Sequence, residues 1–290
     1  FCLSRGLGDV YKRQPLNMMK KLYISLFLLL LASCSENNRP QEIWIKNADN
    51  ESIYLQLSDN KDTDSPHLAI IQHGLASNME HPAVQTAKQA FLDKGYLVIT
   101  FDSRHSLGKS DGKVINVRLE TFENDLETVI NWAKKQKFYR EPLTLAGHSL
   151  GGASVLQYAA KHPSGINRII PITPVVSGNR WEKSCMTNMP DFCQNWKQNG
   201  VYNYQTEIIP YAVVEDAKAY DALQLTNNIK ARTLLITAKD DNIIAPHDVK
   251  ELYDAFAAPK SFGSVSDGGH NFATEQSRRE LYDLIIGFLP

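Results

Sequence analysis

No basic run interrupts this sequence. Its 31 Lys and Arg against 32 Asp and Glu leave a formal net charge of −1. That balance lacks the electrostatic footprint of a nucleic-acid partner. No His/Glu pair stands at zinc-binding spacing, so no metal is expected. No glycine-rich phosphate loop follows the first strands, no internal repeat is visible, and no cofactor is expected. The longest apolar stretch, Leu22 to Leu31, is too short to span a membrane. Cysteine is scarce, with four in the whole chain. What remains is a globular composition, 43% hydrophobic over 290 residues, which suits one large α/β domain.

The amino-terminal part is read as lying outside that domain. Residues 1–17 show no usable periodicity and resemble translated sequencing-adaptor read-through. From Met18-Met19 the chain has a basic pair, Lys20-Lys21, a short apolar run, and the small residues Ala32-Ser33. That pattern predicts a secretory signal over 18–33. Leu31-Ala32-Ser33-Cys34 resembles the lipobox of bacterial lipoproteins, whose cysteine becomes the lipidated first residue of the mature chain. The resemblance implies acylation of Cys34, a polar tether over 34–41, and a place in the bacterial cell envelope facing the periplasm or the exterior. Setting aside residues 1–34, with five basic and one acidic residue, leaves 26 basic and 31 acidic, a net −5. Such a body is held at a membrane by acyl chains, not by contact with anionic lipid. Export also places Cys185 and Cys193 in an oxidising compartment. Seven residues lie between them, and a disulfide is predicted.

Residues 42–290 alternate strand and helix patterns. Glu42–Lys46 and Ile53–Leu57 alternate apolar and polar and predict a hairpin. Leu68–Gln72, Tyr96–Phe101, Leu143–Ala146, Ile166–Ile172, Thr233–Thr237 and Phe262–Val265 read as further strands. Helices are predicted over 81–94, 120–136, 153–161, 249–256 and 275–288. Near-continuous apolar strands between helices mean a mostly parallel sheet covered on both faces. Ligands of such sheets bind beyond the carboxyl ends of the strands. His73, Asp102, Ser149, Asp241 and His270 all follow strands. Residues 177–228 break the rhythm and hold Trp181, Phe192, Trp196, Tyr202, Tyr204, Tyr211 and Tyr220. A gap of that length predicts an inserted cap. Most of its aromatics are expected to bury the cap, with one or two lining a pocket.

The sharpest signal is Gly147-His148-Ser149-Leu150-Gly151, a G-x-S-x-G pattern between a strand and a helix. A serine there stands on a tight turn at the head of a helix, whose free N–H groups favour negative charge. A serine hydroxyl needs a base, and the base needs an acid. His270, in Gly268-Gly269-His270-Asn271-Phe272, is the best base. His148 is expected to point away from the serine. His67, His81, His162 and His247 read as surface residues, and His105 lies in a loop beside the site. For the acid, Asp240 and Asp241 follow a strand, and Asp267 precedes His270 by three residues as a turn-former.

From about Leu68 to Pro290 the chain resembles the α/β-hydrolase superfamily. It is closest to bacterial cinnamoyl/feruloyl-esterase-like and monoacylglycerol-lipase-like serine hydrolases. The pieces that carry this are His73-Gly74-Leu75, Phe101-Asp102 with Gly108-Lys-Ser-Asp-Gly112, Gly147 to Gly152, Asp241 and Gly269-His270. The resemblance implies the α/β-hydrolase fold and, counting from Ala238 in the usual glycine position, selects Asp241 as the acid. It also assigns the backbone N–H groups of Leu75 and Leu150 to an oxyanion hole. Arg104-His105-Ser106 departs from the relatives' glycine, so that loop is expected to be stiffer or to reach toward substrate. The activity implied is hydrolysis of a small-molecule carboxylic ester through an acyl-enzyme. An amide or a thioester is the alternative bond. A surface-anchored binding protein with a dead site would have lost the serine, the acid or the histidine, and none is lost.

The anchor is directly testable. Wild type should partition into detergent, and Cys34→Ala should not. Membrane association of both proteins would place the anchor elsewhere.

Overall fold

Asn47 turns the first hairpin. Its side-chain oxygen accepts the N–H groups of Asp49 (3.0 Å) and Glu51 (2.8 Å), and Asn50 takes φ 64°. The turn joins β1 (Gln41–Lys46) to β2 (Ser52–Ser58). This is a computed structural model, and it describes residues 40–59 and 67–290. Cys34 and segments 1–17 and 18–33, with nearly all of the tether, lie outside the described residues.

Beyond the hairpin come β3 (Leu68–Gln72), β4 (Leu97–Phe101), β5 (Leu143–His148), β6 (Ile166–Ile172), β9 (Arg232–Ala238) and β10 (Lys260–Val265). Their order is β1-β2-β4-β3-β5-β6-β9-β10. The β2 pairings with β1 and β4 are antiparallel, and the rest of the sheet is parallel. From β3 the chain moves to β4 on one side and then returns to β5 on the other. That reversal opens a crevice at the carboxyl ends of β3 and β5.

Side chains alternate across the pleat. Leu68, Ile70, Leu145 and Leu235 enter one core, and Ala69, Ile71, Ala146, Leu234 and Ile236 enter the other. Helices α1 (Pro82–Asp93) and α8 (Glu275–Phe288) cover the second face. Helices α2 (Leu119–Ala133), α3 (Leu150–Lys161) and α7 (Pro246–Ala255) cover the first. Each fully buried Leu, Ile or Val contributes about 1.5–3 kcal/mol, so the two cores hold the strand ends in place. Among the described residues no helix is long and apolar enough to cross a membrane.

Two helices begin earlier than their patterns suggest. The helix after Ser149 starts at Leu150, not Ala153. Gly151 and Gly152 are weak helix formers, which hides its first turn. The seventh starts at Pro246, not Val249, because proline is pre-organised for the first helical position.

Between β6 and β9 the chain forms α4 (Gly178–Asn188), α5 (Pro190–Asn199) and α6 (Ala212–Ala217). Strands β7 (Val201–Tyr204) and β8 (Glu207–Pro210) pair with each other in a separate two-stranded sheet. This segment is fastened to the rest by polar contacts. Asp216 Oδ2 accepts the N–H groups of Leu119 (2.7 Å) and Glu120 (3.4 Å), capping α2 from 97 residues away. Arg180 bonds Asp248 (2.5 Å) and takes both carboxylate oxygens of Glu251 (2.9 Å each) on α7.

Arg104 does not reach toward the crevice. Its backbone N–H and its Nε each donate to Asp125 at 2.6 Å, and its Nη1 pairs with Glu51. The loop is therefore stiffened from within. His105 takes φ 57° and its Nδ1 accepts the Lys113 N–H (3.0 Å). Breaking this pair should be costly. Asp125→Ala leaves the buried guanidinium with only the partly exposed Glu51 as counter-charge. A loss of about 3 kcal/mol is expected in urea unfolding, and an unchanged midpoint would mean that Arg104 is held by packing alone.

Candidate active site

The turn at Ser149 is backbone strain held by its surroundings. Ser149 has φ 55° and ψ −113°, a conformation that non-glycine residues avoid. Its N–H donates to Ile172 O (2.9 Å), and its carbonyl accepts from Ala153 and Val175 (3.1 Å each). Two flanking glycines make the turn possible. A Cβ on Gly147 would strike the Gly151 carbonyl, and one on Gly151 would strike the carbonyl of His73. The elbow can thus approach β3 at the crevice.

Ser149, His270 and Asp241 come together there. His270 Nε2 lies 2.9 Å from Ser149 Oγ, and His270 Nδ1 lies 2.8 Å from Asp241 Oδ2. All three residues are buried. A carboxylate only accepts, so Nδ1 carries the proton and Nε2 is left to accept the Ser149 hydroxyl. Asp241 is fixed in turn, because its Oδ1 accepts the N–H groups of Ile243 and Ile244 (2.9 Å each). Asp240 points elsewhere, to the N–H of Gly269 (2.9 Å), and Asp267 accepts the Thr274 hydroxyl (2.8 Å). Of the three carboxylates weighed from sequence, Asp241 is the one that reaches the imidazole.

Leu75 lines the cavity beside Ser149. Leu150 is the first residue of α3, so its N–H is among those without a partner inside the helix. His73 is structural: its Nδ1–H donates to Gly74 O (2.7 Å) and its Nε2 accepts the Ser103 N–H (2.9 Å). Burial lowers its pKa and keeps it neutral. Asp102 likewise supports the loops, accepting the N–H groups of Met79 and Lys109 (2.8 Å each).

Two histidines sit differently from expectation. His148 does not simply point away from the site. It lines the cavity, and its Nε2–H donates to the His270 carbonyl at 2.8 Å. Burial pushes its pKa well down, aided by the neighbouring His81 and His270. His81 is not a surface residue. It caps α1 by accepting the Ala83 N–H (3.2 Å), stacks on His148 with ring centroids 4.5 Å apart, and also lines the cavity. Burial lowers it to about 4, although a hydrogen bond with Asn271 acts the other way. Its place at an element end beside Pro suggested a surface residue, and a helix cap before Pro at the first helical position was the readable alternative.

The cavity above Ser149 measures about 510 Å³. Trp181, Phe192, Trp196, Tyr202 and Tyr204 line it, five of the seven aromatics singled out in residues 177–228 and more than expected. Tyr211 and Tyr220 do not. Tyr211 bonds Glu182 (2.5 Å), and Trp196 Nε1–H is satisfied by Ile209 O (3.1 Å). No Asp, Glu, Lys or Arg lines the cavity among the described residues. Nor is any group of three or more His, Cys, Asp or Glu there placed to hold a metal ion.

Cys185 and Cys193 form a disulfide (Cα–Cα 5.9 Å) that ties α4 to α5, and Cys185 lines the cavity. Closing so short a loop contributes about 2–3 kcal/mol, and it acts on the cavity wall. Cys185→Ser/Cys193→Ser should therefore raise amide hydrogen exchange across 178–204 while β3, β5 and β6 keep their protection. Equal acceleration in the central sheet would show that the segment has no separate stability.

With this geometry in hand, likeness to known proteins is informative. Residues 65–224 match the serine aminopeptidase (S33) family. An uncharacterised 31.7 kDa protein of Escherichia coli, from the traX-finO intergenic region, is 25% identical over 226 residues, covering 66% of this chain and 78% of that protein. A monoacylglycerol lipase of Mycolicibacterium smegmatis is 31% identical over 120 residues, 41% of each chain. Among solved structures, Est1E from Butyrivibrio proteoclasticus with bound ferulic acid superposes with a TM-score of 0.71 at 18% identity, covering 85% of this chain and 97% of that one. The Pyrococcus furiosus esterase Pf2001 superposes with a TM-score of 0.65 at 19% identity, covering 87% and 90%. The chain thus belongs to the S33 serine-aminopeptidase family and is an α/β hydrolase, with the mostly parallel sheet and helices on both faces that its sequence predicts.

Proposed function

We propose that the protein hydrolyses carboxylic esters of neutral, apolar small molecules, with Ser149, His270 and Asp241 as its catalytic residues. The observation that carries this reading is the hydrogen-bonded chain from Ser149 Oγ through His270 to Asp241 at the floor of an apolar cavity. His270 Nε2 takes the hydroxyl proton as Ser149 Oγ attacks the ester carbonyl. Asp241 holds the imidazole tautomer and stabilises the imidazolium. The N–H groups of Leu75 and Leu150 receive the oxyanion. His270 returns the proton to the leaving alcohol, and a water then cleaves the acyl-enzyme by the same route in reverse. None of these steps calls for a metal or cofactor.

The cavity favours an ester over a peptide amino terminus. A bound α-ammonium group would be desolvated with no carboxylate in the lining to receive it, which is costly. A neutral ester pays no such penalty. The volume falls within the range of small-molecule sites. Five aromatic walls suit an acyl group of the kind that Est1E holds as ferulic acid. On the same reading, a lipid at Cys34 keeps the enzyme at a membrane of the bacterial cell envelope.

Ser149→Ala should abolish cleavage of an aryl ester without unfolding the protein, and undiminished activity would remove the proposal. Asp241→Asn should lower kcat about 10⁴-fold at neutral pH. Asp240→Asn should stay within about a few-fold of wild type, since asparagine keeps an oxygen for Gly269. A panel of ester chain lengths, one aryl cinnamate and one aminoacyl amide separates the bond types. Faster turnover of the amide would move the assignment to a peptidase.

A further inference from the structure

His270 stands on a segment with little stiffness of its own. Gly268 (φ 91°) and Gly269 (φ 59°) precede it, and Phe272 (φ 52°) follows closely. Consecutive left-handed glycines reverse the chain with no side-chain restraint and lose much entropy on being ordered. The segment bonds itself through Ala273 N to Gly268 O (2.9 Å) and Phe272 N to Gly269 O (3.3 Å), and it buries the Phe272 ring. These contacts shape the turn. Apart from the packing of Phe272 in the core with Ala146 and Ile236, they do not tie it by hydrogen bonds to the strands that carry Ser149 and Asp241.

Two side chains do. Asp240 Oδ1 accepts the N–H of Gly269 at 2.9 Å, one residue before the imidazole. His148 Nε2–H donates to the carbonyl of His270 itself at 2.8 Å. Each stands one position before a residue that bonds the imidazole: His148 before Ser149 at the end of β5, Asp240 before Asp241 after β9. Four hydrogen bonds therefore converge on His270, two on the ring and two on the flanking backbone, and each strand end supplies one of each kind.

We infer that His148 and Asp240 are positioning residues, clamping the backbone on both sides of the His270 ring so that the ring stays between Ser149 and Asp241. The inference rests on the ester-hydrolase reading of this site. The His148 ring suits the task because it is buried and its Nε2–H bond to that carbonyl is its one ring hydrogen bond among the described residues. A Cβ on Gly74 would lie 3.0 Å from its Nδ1, and that nitrogen has no hydrogen-bond partner. Its neighbour His81 stacks on one face, and the His270 ring lies 4.9 Å away. Burial keeps the ring neutral. It therefore offers one N–H and places no positive charge beside the imidazolium that forms at His270.

Steady-state kinetics with p-nitrophenyl butyrate tests this with paired variants. His148→Leu removes the donor and keeps bulk, whereas His148→Gln restores an N–H near the Nε2 position. Asp240→Ala removes the acceptor, whereas Asp240→Asn keeps it. The two truncations should each lower kcat about 10- to 100-fold, the scale of a misplacement near 1 Å, with KM within about two-fold. The two amide variants should recover most of that loss. Asp240 is exposed, so its truncation should fold normally even if His148→Leu does not. Wild-type kcat in Asp240→Ala, or amide variants as impaired as the truncations, would overturn the clamp. Ser149→Ala in the same series keeps the two readings apart. If it is inactive while both truncations match wild type, only the clamp falls. If it remains fully active, the ester-hydrolase reading falls with it.

Discussion

A serine hydroxyl surrenders its proton only to a base held within hydrogen-bonding distance, and that distance ties together three remote parts of this chain. Ser149 and His270 are 121 residues apart, and Asp241 and His270 are 29 apart. Nothing local brings them together. The parallel sheet does, by ending β5, β9 and β10 at one edge. The two cores resist relative motion of those ends, since sliding one strand would open voids on both faces. The strained turn at Ser149 then works as a fixed point. Its unfavourable backbone persists because Ile172, Ala153 and Val175 bond to it from three directions.

The cavity follows from the same economy of polar groups. Its walls are largely aromatic, and the polar atom of the Trp196 ring is satisfied by the backbone, donating to Ile209 O. Three rings pack edge-on against Trp196: Trp181 and Tyr202 from the wall, and Tyr211 from outside it, with Tyr202 and Tyr211 nearest at 5.0 and 5.2 Å. Such contacts add about 0.5–1.5 kcal/mol per pair beyond area burial. They stiffen a segment that has no place in the main sheet. The disulfide between α4 and α5 acts on the same wall.

Much of this was legible in the sequence where chemistry forces spacing. Alternation marked the first hairpin, near-continuous apolar runs marked the parallel strands, and the elbow glycines marked the turn at Ser149. The family resemblance, counted from Ala238, selected Asp241, and the structure brings that carboxylate, not Asp240, to the imidazole. What escaped was set by distant partners. Arg104 turns inward because of Asp125, 21 residues away, and Glu51, 53 residues away. His148 takes its meaning from a carbonyl 122 residues later. His81 looks like a surface residue at a helix end until it is seen to cap α1 and stack on His148. The aromatics of residues 177–228 could not be sorted into inward and outward. Their helices and strands are short, and no periodicity of that length separates faces.

Asp216 belongs to the inserted segment, yet the helix it caps belongs to the body. If the segment were lifted away, α2 would be left with two bare N–H groups at its head, a loss of about 1 kcal/mol for that contact alone. Arg180 likewise reaches out of the segment, pairing with the Asp248 and Glu251 carboxylates of α7. Residues 177–228 are therefore not free of the elements around them. A chimaera that swaps residues 177–228 for a foreign cap inherits two uncompensated helix contacts in its own scaffold.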